Sequence, residues 1–193
     1  VDIFAANERG PNFLYKNVNS NFIEVAKRYG VDDLYQNGRG TVLSDVLYRG
    51  RLDIISGNWE GLHRIFILKK NRFYDLVDFD FNRPSKVRTI ISADFDNDGF
   101  DEILINNIGQ SNKMFKLKDN GIMEKIELKN VKLADGFGTG AAVADVDGDG
   151  ILELLISNGE KRKQKLQLFK ANTKKKSAFL RIRPLNRFNA PAR

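Results

Sequence analysis

The chain has 193 residues, of which 41% are apolar and 30% charged, with a net charge of +7, no cysteine and one histidine, His63. This is enough apolar material for a sizeable core in one or two domains. It excludes disulfides, thiolate metal sites and cysteine nucleophiles, argues against histidine-based zinc sites, and contains no run of about 18 apolar residues that could cross a membrane as a helix.

The opening stretch, VDIFAANERG, lacks an initiator Met and the basic-then-apolar layout of a secretory leader, so it is expected to be a piece of a longer protein. Next comes a hairpin pattern, NFLYKN–VNSN–FIEVA, and then the small-residue strand GRGTVLSD, leading into the loop DVLYRGRLDI at 45–54. The apolar run LDIISGNWEG follows, with a second hairpin in RIFILKK–NRF–YDLVD. The order then repeats: strand KVRTIISAD, loop DFDNDGFDEI (94–103), apolar run DEILINNIGQ, and a hairpin predicted to turn at Asp119-Asn120-Gly121, where Asn and Gly tolerate positive φ. It starts once more with FGTGAAVAD, the loop DVDGDGILEL (145–154) and LELLISNGEK. The basic residues crowd late, in KRKQK at 161–165 and KKK at 174–176. They are not interleaved with aromatics as a stacking platform would need, so they read as solvated surface, and nucleic acid is not the expected partner.

The first Asp of the three complete loops falls at 45, 94 and 145, and Val1-Asp2-Ile3 matches Leu52-Asp53-Ile54, so a fourth copy begins upstream. The period predicts units at about 1–44, 45–93, 94–144 and 145–176, with 177–193 holding a last strand and the start of another domain. Each unit offers about four short strands and no convincing helix. The expected fold is all-β: a partial β-propeller of about four four-stranded blades, in which neighbours cover one another's faces. A β-sandwich would not place the same loop at the same phase of each unit. An open arc would leave apolar blade faces exposed, so the isolated chain is expected to aggregate.

In DFDNDGFDEI the carboxylates of Asp94, Asp96 and Asp98 alternate with other residues and converge when the backbone curls. Their mutual repulsion favours a divalent cation, and hard oxygens in a flexible loop suit calcium. Gly99 permits the sharp turn that would bring the Phe100 carbonyl and the Glu102 carboxylate onto the same ion. The second expected calcium site is Asp145, Asp147 and Asp149 with the Ile151 carbonyl and Glu153. An EF-hand needs an acid at position 12, where these loops have Ile105 and Ile156, and it needs flanking helices rather than strands. Ligand sets recurring at one phase of a repeat also argue against chance Asp-Gly turns. A glycosidase-type pair is disfavoured because the metal would occupy the carboxylate lone pairs.

The loop at 45–53 keeps Asp45, Gly50 and Asp53, but Leu47 and Arg49 replace the two middle carboxylates. It is expected to hold no calcium, with the Arg49 guanidinium pairing with Asp45 or Asp53 and keeping the turn.

The pattern D-x-D-x-D-G-x-x-[DE]-[IL] in units of this length resembles the FG-GAP/VCBS repeats, found also in integrin α-chain propellers. The strings AANERGPNFLYKN, FIEVAKRYGV, NGRGTVLSD, SGNWEGLHRIF, VRTIISADFDNDG and GTGAAVADVDGDG are similar to the cartilage acidic protein family. FLRIRPLNRFNAPAR resembles the opening of the ASPIC/UnbV domain that follows the propeller there. The resemblance implies a secreted or surface protein with a calcium-binding propeller that acts by binding other proteins and has no established catalysis. Animal members are extracellular proteins of cartilage and nervous tissue. The basic charge and missing cysteine depart from them, so their receptor binding does not carry over.

The expected function is therefore a calcium-stabilised scaffold for protein–protein or adhesion-type contacts, extracellular, periplasmic or at the cell surface, and not an enzyme. The alternative is a carbohydrate-binding module or part of a polysaccharide-active enzyme, with Trp59 stacking on a sugar beside Glu60 and His63. The plainer expectation for these residues is that Trp59 packs between blades and His63 caps a turn. Arg39 and Arg88 share a phase before their loops and could line a central channel, whereas Arg181, Arg183 and Arg187 are expected at the junction with the next domain.

Overall fold

The computed structural model describes residues 1–118, 121–133 and 135–172, together with Ile182, Leu185 and Arg187. Among these residues the strands form four antiparallel sheets, taken up in chain order. The first contains β1 (Ile3–Ala5), β2 (Phe13–Val18) and β3 (Asn21–Glu24). The second contains β4 (Gly38–Ser44), β5 (Asp53–Asn58), β6 (Arg64–Lys69) and β7 (Arg72–Asp75). The third is β8 (Val87–Ala93), β9 (Glu102–Asn107), β10 (Lys113–Leu117) and β11 (Met123–Ile126), and the fourth β12 (Gly138–Ala144), β13 (Glu153–Asn158) and β14 (Gln167–Lys170). Each sheet is a meander in which every strand pairs with the next. Among the described residues helix is confined to α1 (Ala26–Tyr29) and a 3-10 turn at Asn130–Lys132, and none is long and apolar enough to cross a membrane.

The all-β expectation holds, as a series of sheets rather than a two-sheet sandwich. β5 and β9 are buried along their whole length because both of their faces are covered. Ile54 joins Leu14, Val31 and Phe66 in a core between the first and second sheets. Ile55 faces the other way, into the core that Ile65, Phe81, Ile90, Ile103, Ile105 and Phe115 form between the second and third. Leu104 turns from that core to meet Met114, Leu154 and Ile156 between the third and fourth. Two-sided burial explains why these strands appear in the sequence as continuous apolar runs rather than alternating ones. The outer sheets each contribute to one of these cores only, and Phe22, Ile23 and Leu168 remain more than half exposed.

The first strands of successive sheets adjoin, β4 against β8 and β8 against β12. The approach is close: a Cβ on Gly40 would lie 2.9 Å from the Ile90 nitrogen, so only glycine fits there. Each of these strands carries a bulge at the same phase, with Arg39, Arg88 and Thr139 as the residues without a partner on the neighbouring strand. The hairpins follow the sequence except in their turns. The second turns at Lys70 and Asn71, with Lys70 at φ 50°, and Arg72 already pairs with Lys69, so the return strand starts two positions earlier than the pattern suggests. Asp119 and Asn120 lie outside the described residues, and Gly121 has φ 78°.

Candidate functional site

The acidic loops join the first and second strands of the last three sheets. Register closes each mouth: the last acid pairs with the residue just before the first Asp, as Ser44 with Asp53, Ala93 with Glu102 and Ala144 with Glu153. The first Asp of each loop then folds the backbone around itself. Asp94 accepts the amides of Asp98 at 3.0 Å and Gly99 at 2.8 Å, one on each oxygen. Asp145 does the same with Gly148 at 2.7 Å and Gly150 at 3.2 Å. Asp45 accepts Arg49 at 2.8 Å and Gly50 at 2.5 Å. Gly99 adopts φ 94°, as the sharp turn requires.

The last acid is buried beneath the turn. Glu102 is 1% exposed and takes the Phe95 amide on Oε2 at 2.9 Å, while Glu153, 4% exposed, takes the Val146 amide on Oε2 at 2.7 Å. In both, the other oxygen, Oε1, is buried and receives no backbone amide. Carboxylate oxygens of Asp94, Asp96 and Glu102 lie within 4.8 Å of one another, as do those of Asp145, Asp147 and Glu153. Asp98 and Asp149 fall outside these tight groups and instead accept the amides of Phe100 and Ile151, each at 3.0 Å. A buried carboxylate oxygen with no backbone donor, clustered with two further carboxylates, is a donor set of hard oxygens that fits a calcium ion.

Each cluster also has a cation that the sequence did not reveal. Lys116, on β10, stands opposite Glu102 in register; its Nζ lies 2.9 Å from Glu102 Oε1 and 3.4 Å from Asp96, and it bonds to Asp98. Lys170, on β14, stands opposite Glu153, with its Nζ 2.6 Å from Asp147, 2.6 Å from Asp149 and 3.1 Å from Glu153 Oε1. The hydrogen bonds that the Lys170 ammonium donates to Asp147 and Asp149 hold it well above the ordinary lysine range. Burial pulls Lys116 the other way, but its bonds to Asp98 and Glu102 outweigh that and raise it too. Burial pushes the Glu102 carboxyl up.

The loop at 45–53 is organised differently. Arg49 places Nη2 2.8 Å from Asp53 Oδ1 and Nη1 3.0 Å from the Leu68 carbonyl, while the Leu68 amide donates to the same Asp53 oxygen at 2.8 Å. The guanidinium thus pairs with Asp53, and its own amide with Asp45, as the sequence suggested.

Trp59 and His63 are tied into the sheets. The Trp59 ring has the guanidiniums of Arg39 and Arg88 at 5.3 and 5.4 Å from its centroid, in cation–π contact. Those arginines also reach across sheets, to Glu8 and Glu160 respectively. His63 is fully buried and accepts the Asn58 amide on Nδ1 at 3.1 Å, which places its proton on Nε2, 2.8 Å from Ser85 Oγ. Ser85 in turn donates to Asn107 Oδ1 at 2.7 Å. The first and third sheets use asparagine in the same place: the Asn7 amide donates to Asn12 Oδ1 at 3.1 Å and the Asn107 amide to Asn112 Oδ1 at 2.9 Å. This turn lock was legible as N-x4-[NH] in ANERGPN, NWEGLH and NIGQSN. Of the arginines expected at the junction, Arg181 and Arg183 lie outside the described residues, as do Lys174 to Lys176.

The FG-GAP-like repeat model matches residues 45–105 and 94–156, each match running from one acidic loop to the strand after the next. The whole chain aligns with cartilage acidic protein 1 of Xenopus tropicalis at 43% identity, of Mus musculus at 42% and of Homo sapiens at 42%. It spans about a third of the length of these relatives, 32%, 32% and 31% respectively. With its full length aligned at this identity and its acidic loops coinciding with the matched repeats, the chain belongs to the cartilage acidic protein family, as a stretch built of FG-GAP-like repeats.

Proposed function

We propose that the chain is part of a calcium-stabilised β-propeller that acts as an extracellular or cell-surface scaffold for binding another protein, without chemistry of its own. The observation that carries this is the pair of acid clusters at equivalent places in consecutive repeats, each containing a buried glutamate oxygen that no backbone amide reaches. Asp94, Asp96 and Glu102 would hold one ion and Asp145, Asp147 and Glu153 the other, with Asp98, Asp149 and the Phe100 and Ile151 carbonyls completing the shells. A bound calcium supplies the positive charge that lets these carboxylates pack together. The propeller reading rests on the meander sheets whose first strands adjoin in series. Residues 177–193 are assigned to a last strand and the start of an ASPIC/UnbV-like domain on the resemblance of their sequence.

Extracellular calcium loops typically bind at about 0.1–1 mM, which fits millimolar calcium outside the cell and leaves them unfilled in cytosol. At tenfold excess each ion would add about 1.4 kcal/mol. For a chain of this size two ions would raise Tm by about 6 °C. Differential scanning calorimetry in EDTA and in calcium tests this; a melting temperature the same in both would remove calcium from the reading.

A further inference from the structure

The third strand of each sheet supplies a position opposite the loop's last acid: Lys116 opposite Glu102 and Lys170 opposite Glu153. In the second sheet Ile54 pairs with Phe66, which puts Ile67 at the corresponding place, and Ile67 is buried in the apolar core. There the cation comes from inside the loop, from Arg49. Each of the three loops thus has one cation on its last acid, supplied by the third strand where the loop keeps its carboxylates and by the loop itself where it does not.

We infer that Lys116 and Lys170 are resident counter-cations that hold the two acidic loops closed without calcium and that calcium must displace in order to bind. This rests on the calcium reading above and concerns the regulation of those same sites. Two features make displacement feasible. Three carboxylates face a single ammonium in each loop, with that of Asp94 or Asp145 beside them, so the cluster stays anionic with the lysine in place and still attracts a divalent ion. Lys116 also has room to move: in its present place its Nζ lies 6.0 Å from the Phe100 ring centroid, beside an open hollow of about 720 Å³ that Tyr48, Phe100 and Leu117 help to line. The Phe100 ring is itself braced edge-on by Tyr48 at 4.5 Å. A swing of the lysine stem toward that ring would free the carboxylate oxygens without unfolding the strand. The consequence is a loop that is pre-shaped at low calcium but binds the ion more weakly than its carboxylates alone would.

Isothermal titration of the 193-residue chain with calcium chloride tests this, comparing wild type with K116M, K170M and K116R. Each methionine variant is expected to bind calcium about two- to fivefold more tightly at its loop, the range of one modest ion-pair contact, and to melt earlier than wild type in EDTA. K116R, which keeps the charge, should bind as weakly as wild type. Lys170 is one-third exposed, so K170M reads the effect where packing is least disturbed. Unchanged or weaker calcium binding in both methionine variants, with wild type binding, overturns the inference and leaves the calcium sites standing. Absence of binding in wild type and variants alike overturns both.

Discussion

His63 shows what one buried side chain can impose on stability. Burial, with a smaller push from the Lys113 charge, lowers its pKa from 6.5 to about 4, so the folded protein keeps it neutral with both ring nitrogens hydrogen-bonded. The unfolded chain protonates this histidine near pH 6.5. A depressed folded-state pKa therefore means that its stabilisation is complete above pH 6.5 and is lost as pH falls toward 4, by about 3 kcal/mol in all. Asn12 and Asn112 accept the equivalent amide in the neighbouring repeats, which makes His63→Asn the substitution the fold already uses. H63N should fold, be less stable than wild type at pH 7 because Ser85 loses its donor, and lack this acid sensitivity. The stability gap between the two proteins, from urea unfolding, is expected to close or reverse by about 3 kcal/mol between pH 7 and pH 4. A gap that stays constant over that range would mean that His63 is not held neutral.

The loop between β4 and β5 keeps its frame while its charge is rearranged. Asp45 still gathers the amides of Arg49 and Gly50, Gly50 still takes positive φ at 70°, and Asp53 is still fully buried, with Oδ2 accepting no hydrogen bond. What is missing is the pair of carboxylates at the Leu47 and Arg49 positions. L47D/R49D restores D-x-D-x-D-G at this site, and Ile67 leaves no lysine opposite to compete. The double variant is expected to bind one more calcium than wild type by calorimetric titration, at about two- to fivefold higher affinity than the native loops. A stoichiometry equal to wild type would show that the frame alone does not make a site. Much of this element was legible beforehand. The loop spacing gave the acids, and the substituted middle positions gave the Arg49 pairing, because both are local along the chain. Lys116 and Lys170 were not legible. Their place opposite the glutamates depends on strand register across hairpins of different length, from Glu102 to Lys116 and from Glu153 to Lys170. The bulges at Arg39, Arg88 and Thr139 escaped for the same reason, since a bulge exists only relative to a partner strand. The N-x4-[NH] turn lock was local and could have been found, but Asn is common in loops and the alternation of Asn with His concealed the repeat.

Over the whole molecule, four sheets in series make a stability that is a sum of local terms. Each sheet buries its faces only against its neighbours, and no core spans more than two sheets. Such an array is expected to loosen from its ends inward rather than all at once. The second and third sheets are four-stranded and covered on both faces; the first and fourth have three described strands each and one covered face. Native-state hydrogen exchange should therefore find the slowest amides in β5 and β9 and progressively faster ones toward β1 and β14. Calcium adds a second pattern. Ions bound by the loops at 94–102 and 145–153 would pin the mouths between β8 and β9 and between β12 and β13. The loop at 45–53, already closed by Arg49 on Asp53, would gain little. Millimolar calcium is accordingly expected to slow exchange about tenfold in β8, β9, β12 and β13, the effect of one ion at tenfold excess over its dissociation constant, and to leave β4 and β5 nearly unchanged. Uniform protection in all four sheets would mean that the array opens as one unit. Equal slowing in β4 and β5 would place calcium in the loop that Arg49 closes.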